Sequence, residues 1–343
     1  MKYPAPLKKG SKIAITAFST GIAKEHEARY QCVLAYFKSQ GFNVVEGECL
    51  RGQQKHVSAP AQQRADELMS FLLNDDIDAI VPPWGGELAM ELLPMLDFDA
   101  LTKAKPKWVL GFSDVSTITA VLSSKLGWAS AHCSNLMDLT SNATESLTAG
   151  TLACLSTPYG EHFSQSASAK HTRSWPNIAE DPEAVLQPEI PTQWRWLVKP
   201  EKGDTIEGRL IGGCWDTLFH LFGTDYLDLD SLSRQHPEGL VLFLENVEMS
   251  PVDLVRTILN MKFRGVFSCI NGLLLGRCAV VDSDNEDDLT YYEVLERHLV
   301  GLGIPVMIDS DIGHVPPNLT LINGALATVE LHDGGRIHQQ LIA

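Results

Sequence analysis

Long apolar runs are missing from this 343-residue chain, and none comes near the ~20 residues that a membrane-spanning helix needs. The N-terminal stretch Met1-Lys-Tyr-Pro-Ala-Pro-Leu-Lys-Lys-Gly10 carries basic residues and prolines but lacks the apolar segment of a secretory signal. A cytoplasmic protein with no membrane partner is therefore expected. Paired cysteines are missing too. The seven cysteines, at 32, 49, 133, 154, 214, 269 and 278, include no Cys-x-x-Cys, which argues against a disulfide framework or a zinc cluster. They are expected to be reduced and largely buried. No run of Lys or Arg forms a basic stripe, and a net charge of −16 repels polyanions, so nucleic acid is not an expected partner. Any anionic ligand would need locally placed arginines. Internal repeats and low-complexity tracts are absent as well.

What is present is the composition of a globular, soluble protein, 44% hydrophobic and 20% charged, in a chain long enough for two domains. Over the first 140 residues or so, strand and helix signals alternate, which predicts an α/β fold with a mostly parallel N-terminal sheet. Strands are expected at 12–18, 42–45, 79–81 and 128–131, with helices at 24–40, 58–73 and 87–96. From 140 to 193 the periodicity fades into a Ser, Thr, Pro and His-rich stretch that reads as a linker or lid. Order returns with strands at 206–211, 240–244, 272–275 and 306–308 and helices at 216–222, 253–262 and 289–300. The expected division is an N-terminal domain at 1–150, a linker at 151–200 and a C-terminal α/β domain at 201–343.

The segment with most chemistry in it is Lys107-Trp-Val-Leu-Gly-Phe-Ser113-Asp-Val-Ser-Thr117. It reads as a buried strand, a sharp turn with Ser113 at its apex, and a helix with Val115, Ile118, Leu122 and Leu126 on one face. Such an elbow lifts a serine hydroxyl above the sheet and leaves the amide of Asp114 at a helix N-terminus, free to donate to an oxyanion. Val115 stands where the elbow's usual second glycine would be, and Ser113 as a simple helix N-cap is the competing reading. A serine nucleophile needs a base and an orienting acid. His314, in a loop after the strand 306–308, and Glu245, at the end of an otherwise apolar strand, are candidates, with Glu248 open as the alternative acid. Gly85 and Gly86 fall at the carboxyl end of the strand 79–81, where open α/β sheets build their sites.

Taken together, Pro-Pro-Trp84-Gly-Gly-Glu87, Gly-Phe-Ser113-Asp-Val-Ser, Arg209-Leu-Ile-Gly-Gly, Leu242-Phe-Leu-Glu245, Gly276-Arg277 and Gly313-His314 resemble, in order, the serine LD-carboxypeptidase family across nearly the whole chain. The long 151–200 stretch and Trp194-Arg-Trp196 are most similar to the branch containing the microcin C immunity peptidases. The resemblance implies a Ser113–Glu245–His314 triad, an oxyanion hole from the amides of Gly86 and Asp114, and an active site between the two domains. It also implies no cofactor or metal, a homodimer, and a small peptide or peptidyl-nucleotide substrate. Trp84, Gly85, Trp175, Arg209 and Arg277 are the expected substrate-side residues, with Trp175 as a base-stacking platform. Trp194 and Trp196 are expected to pack internally, and His132 is open between a structural and a functional role. Two departures matter. Trp84-Gly-Gly-Glu87 replaces the Arg-Gly-Gly-Tyr of cell-wall enzymes, which puts murein peptides in doubt, and Cys214 stands where many relatives have asparagine.

Overall fold

A computed structural model describes residues 1–343. The first half builds a four-stranded, wholly parallel sheet from β1 (Lys12–Ile15), β2 (Asn43–Glu46), β3 (Ala79–Val81) and β4 (Trp108–Val109), in the order β2-β1-β3-β4. Helices Glu27–Ser39, Ala61–Leu73 and Val115–Leu126 accompany it, close to their expected spans. The stretch expected as a helix at 87–96 is instead a tighter 3-10 turn, Ala89–Met95, that contains Pro94. Proline has no N–H for the helical ladder, so a regular α-helix is not favoured there.

The strand expected at 128–131 forms as β5 (Ser130–His132), but it does not extend the parallel sheet. Only a single bridge, Leu110 to Ala131, joins it to the elbow strand. Its main partner lies in the other half of the chain.

The 140–193 stretch holds more order than a linker. Helix Ser146–Leu155 packs Leu147, Leu152 and Leu155 inward, and β6 (His162–Ser166) becomes an edge strand of the second sheet. Beyond it, β7 (Lys170–His171) and β8 (Ile190–Pro191) pair as a short ribbon at the base of the segment that carries Trp175. The rest of the second sheet comes from β9 (Arg195–Val198), β10 (Thr205–Cys214), β11 (Leu240–Glu245), β12 (Gly272–Gly276), β13 (Val306–Ser310), and, beyond β14 (Leu321–Asn323), β15 (Leu326–Glu330) and β16 (Arg336–Gln340). Its order is β6-β16-β15-β10-β11-β12-β13-β9. The central strands β10 to β13 run parallel and are read in the sequence as apolar runs, because both faces are covered.

β14 pairs antiparallel with β5, so one ladder joins the two halves. Side chains reinforce it: Asn323 accepts from the Gly212 amide at 2.9 Å and donates to Ser130 Oγ at 3.2 Å, while Ser116 Oγ accepts from the Cys214 amide at 2.9 Å. The elbow helix Val115–Leu126 lies between the halves and is buried nearly all round, packing in one core with Trp215, Leu218, Leu242 and Leu244. No helix is long and apolar enough to cross a membrane.

Candidate active site

The turn after β4 places Ser113 by backbone strain. Its φ is 65°, a left-handed conformation that costs a residue with a Cβ about 1–3 kcal/mol and recurs where function requires it. Gly111, two residues earlier, has φ 136°, and a Cβ there would meet Asn135 Oδ1 at 2.6 Å. The missing second glycine is harmless, since Val115 is already the first residue of the helix and is fully buried. Across the cleft, a Cβ on Gly85 would lie 2.7 Å from Ser113 Cβ and 2.8 Å from the Asp114 amide nitrogen. Only glycine lets that loop approach the serine. Neither the Gly86 amide nor the Asp114 amide has an acceptor within the protein, so both donors are available beside Ser113.

The Asp114 side chain ties these parts together. Its carboxylate accepts from Ser19 Oγ at 2.6 Å, the Ala89 amide at 2.8 Å and Thr117 Oγ1 at 3.1 Å, fastening the loop after β3 to the elbow. Burial pushes this carboxyl above the usual range.

Ser113, His314 and Glu245 form one hydrogen-bonded line. His314 Nε2 lies 3.0 Å from Ser113 Oγ, and Nδ1 lies 2.9 Å from Glu245 Oε2. The His314 amide also reaches that carboxylate, at 3.3 Å. Glu245 closes β11 with only 1% exposure, whereas Glu248 is exposed and contributes its amide to Asp216 at 2.8 Å. The acid that meets the imidazole is thus Glu245. Burial alone pulls the His314 pKa down, but the Glu245 carboxylate more than offsets it, leaving the imidazole above its ordinary value. This arrangement can take a proton from a serine hydroxyl and hold the resulting imidazolium.

Cys214 Sγ lies near this line, and the thiol, a Glu245 oxygen and a His314 nitrogen fall within 4.8 Å of one another, close enough in principle to ligate a metal. Burial, then the Glu245 charge, pushes the Cys214 thiol well up, which opposes the thiolate that a metal ligand requires.

Ser113 and His314 open onto a cavity of about 350 Å³. Trp84, Gly85, Gly86, Phe112 and Trp175 line it. Trp175 is 40% exposed, its ring is nearly parallel to Phe112 at a centroid separation of 6.1 Å, and its Nε1 donates to the His314 carbonyl at 3.1 Å. Trp84 is held by donation from Nε1 to the Gly21 carbonyl at 3.2 Å.

Two expected substrate-side residues do not line this cavity. Arg209, within β10, is buried, paired with Glu238 and donating to the carbonyls of Gly324 and Ile342. Arg277 is buried under the loop of His314, paired with Asp311 at 2.8 Å and donating to the carbonyls of Val315 and Pro317. Their charge is visible in the sequence; their orientation toward internal acceptors is not. Trp194 is buried as expected, donating to Asp311 at 2.8 Å, and Trp196 is half-buried against the same core. His132 is fully buried between Phe112 and Phe243, and burial, with His314 nearby, depresses it to about 3, so it is a neutral core residue.

The cavity also contains a group that motif reading passes over. Asp138 lies in its wall, accepts from the Asn135 amide at 3.0 Å, and is pushed up to about 6 by burial. The signal was a lone acid in the apolar run Leu136-Met-Asp-Leu139.

With this geometry in hand, comparison with known proteins is direct. Residues 13–133 match the LD-carboxypeptidase N-terminal domain and residues 207–329 the LD-carboxypeptidase C-terminal domain. The chain is 25% identical to a putative carboxypeptidase of Vibrio cholerae, over 96% of this chain and 95% of that one. It is 24% identical to the microcin C7 self-immunity protein MccF of Escherichia coli, over 95% of this chain and 92% of that one. The structure of MccF in complex with glutamyl sulfamoyl guanosine superposes with a TM-score of 0.83 at 24% identity, covering 99% of both chains. Two domain matches in the right order, together covering well over half the chain, place this α/β protein in the LD-carboxypeptidase family of peptidases.

Proposed function

We propose that this chain is a serine hydrolase that cleaves an amide at the carboxyl end of a small peptide-like substrate carrying a nucleoside. The observation that carries this reading is the continuous hydrogen-bonded line from Ser113 through His314 to Glu245 at the floor of a cavity walled by Trp175 and Phe112. Ser113 Oγ attacks the scissile carbonyl as its proton passes to His314 Nε2. The Gly86 and Asp114 amides receive the oxyanion, and Glu245 steadies the imidazolium. His314 then protonates the leaving amine, and water, activated by the same imidazole, releases the acyl group from Ser113. No step calls on a metal.

The nucleoside half of the proposal rests on Trp175. Stacking of a base on an aromatic platform contributes about 1–3 kcal/mol. A murein tetrapeptide has no planar base to place there, and MccF, with the same fold, binds aminoacyl sulfamoyl nucleosides. The test compares an aminoacyl sulfamoyl adenosine with an LD-tetrapeptide. Faster cleavage of the nucleoside substrate is expected, with Trp175→Ala raising its KM by about 5–150-fold while sparing the tetrapeptide. Preference for the tetrapeptide would replace this reading with that of a murein LD-carboxypeptidase.

A further inference from the structure

In a chain of net charge −16, three of the twelve arginines converge on a second, separate cavity of about 280 Å³. Arg173, Arg195 and Arg277 line it together with His171 and Tyr292. None of these residues faces Ser113, whose cavity contains no arginine or lysine.

Both acids at this place are fully engaged. Asp309 accepts from Arg195 Nε at 2.5 Å and from the Tyr292 hydroxyl at 2.8 Å. Asp311, behind it, accepts from Arg277, Trp194 Nε1, and the amide and hydroxyl of Ser168. The donors, in contrast, are not exhausted. Arg173 has no carboxylate partner, and only Nε of Arg195 is held by one. The Arg195 guanidinium carbon also sits 4.4 Å from the Tyr292 ring centroid, so the group is held by both the ring and Asp309 before anything binds. Asp309 has a φ of 62°, the left-handed region that a residue with a Cβ seldom enters. Its carboxylate is engaged by Arg195 and Tyr292, and strain of this kind collects at binding sites.

We propose that this cavity is a binding site for a phosphate-type oxyanion, taken between Arg173 and Arg195 with His171 as a third donor over the buried Arg277. Donors that arrive from β7 and its following segment, from β9 and from the end of β12 suit a tetrahedral group with several acceptor oxygens better than a planar carboxylate with two. The occupant would fasten the segment that carries Trp175. Arg173 precedes Trp175 by two residues, and the Thr172 amide already donates to the Pro316 carbonyl at 3.0 Å, in the loop of His314.

The test is calorimetric titration of the full chain with inorganic phosphate and, separately, with glycerol phosphate, in chloride buffer at constant ionic strength. A single saturable site is expected. Arg173→Ala and Arg195→Ala should each weaken it at least tenfold, Arg195→Lys should weaken it less, and Arg336→Ala should leave it unchanged. Circular dichroism of each variant separates loss of binding from loss of folding. Tighter binding of glycerol phosphate supports an ester as the occupant, and tighter binding of inorganic phosphate supports the free ion. Absence of saturable heat for either probe, or wild-type affinity in the folded Arg173→Ala protein, would overturn the proposal.

Discussion

The two sides of the cleft hold their residues by different means. Ser113 is set by backbone: a left-handed φ, a glycine on either side of the close approach, and a buried helix behind it. His314 is set by side chains. Its loop is held from below by Arg277 on the Val315 and Pro317 carbonyls, by Asp311 on Arg277, and by Asn318 on the Gly313 amide at 2.5 Å. The first device is local in sequence, one strand, turn and helix, apart from Gly85, which arrives from the loop after β3. The second is assembled from β12, the end of β13, the 151–200 stretch and the loop of His314, so it depends on tertiary packing throughout.

The largest effect should come from the backbone-held side. Ser113→Ala should leave a folded protein whose hydrolysis falls by a factor on the order of 10⁴–10⁶, measured as kcat on the nucleoside substrate. Near-normal turnover would show that the hydroxyl is not the nucleophile. Next, Glu245→Gln should cost on the order of 10⁴ in kcat, while Glu248→Gln, on an exposed turn, should stay within a few-fold. The opposite ranking would move the orienting acid.

The comparison itself is broken or sharpened by Asp311→Asn. It uncouples the buried Arg277 and should destabilise the fold by about 3–5 kcal/mol in denaturant titration. In the fraction that remains folded, kcat should fall by more than KM changes, because His314 is displaced while the Trp175 platform keeps its fold. Unchanged stability would mean that the ion pair does not hold the loop.

The smallest effect is one of pH. Since the His314 pKa is raised, kcat/KM should fall on the acid side with a midpoint above the ordinary histidine value of about 6.5. The stability contribution has the opposite sense. A group whose folded pKa exceeds its unfolded value stabilises fully below the unfolded value and loses that contribution as pH rises through the folded one. Acid should therefore silence the enzyme before it weakens the His314–Glu245 pair. A limb that lies below 6.5, or that survives in Glu245→Gln at the same position, would remove the carboxylate as its cause.

The contrast also explains what the sequence made legible. The elbow could be read because strand, turn and helix follow one another within Lys107 to Leu126, and the apolar strands β11 to β13 because both of their faces are buried. Glu245 is legible as a carboxylate closing an apolar strand and His314 as a histidine in the loop after another, while their joint role comes from the family resemblance. Strand β16 is not legible because Arg336-Ile-His-Gln-Gln340 alternates apolar and polar residues weakly, and β6 because His162-Phe-Ser-Gln-Ser166 takes its strand form from pairing with β16. Helix Ser146–Leu155 was hidden by its threonines and glycine, which carry little helical signal. Arg209 and Arg277 illustrate the limit of reading charge: a sequence gives the cation, while the fold decides whether carbonyls or substrate receive it.

The β5–β14 ladder has a consequence for how anything enters. Because a strand from each half is hydrogen-bonded to the other and Asn323 and Ser116 stitch the seam, the cleft cannot gape by rotation of one half away from the other without unzipping backbone pairs. Amide protons of His132 and Leu321, which face each other across this ladder, should exchange as slowly as those of the central strands. Gating is left to the segment around Trp175, whose indole latch on the His314 carbonyl is one solvent-exposed hydrogen bond. A covalent crosslink between the halves should leave turnover intact, while one that pins the Trp175 segment should stop it.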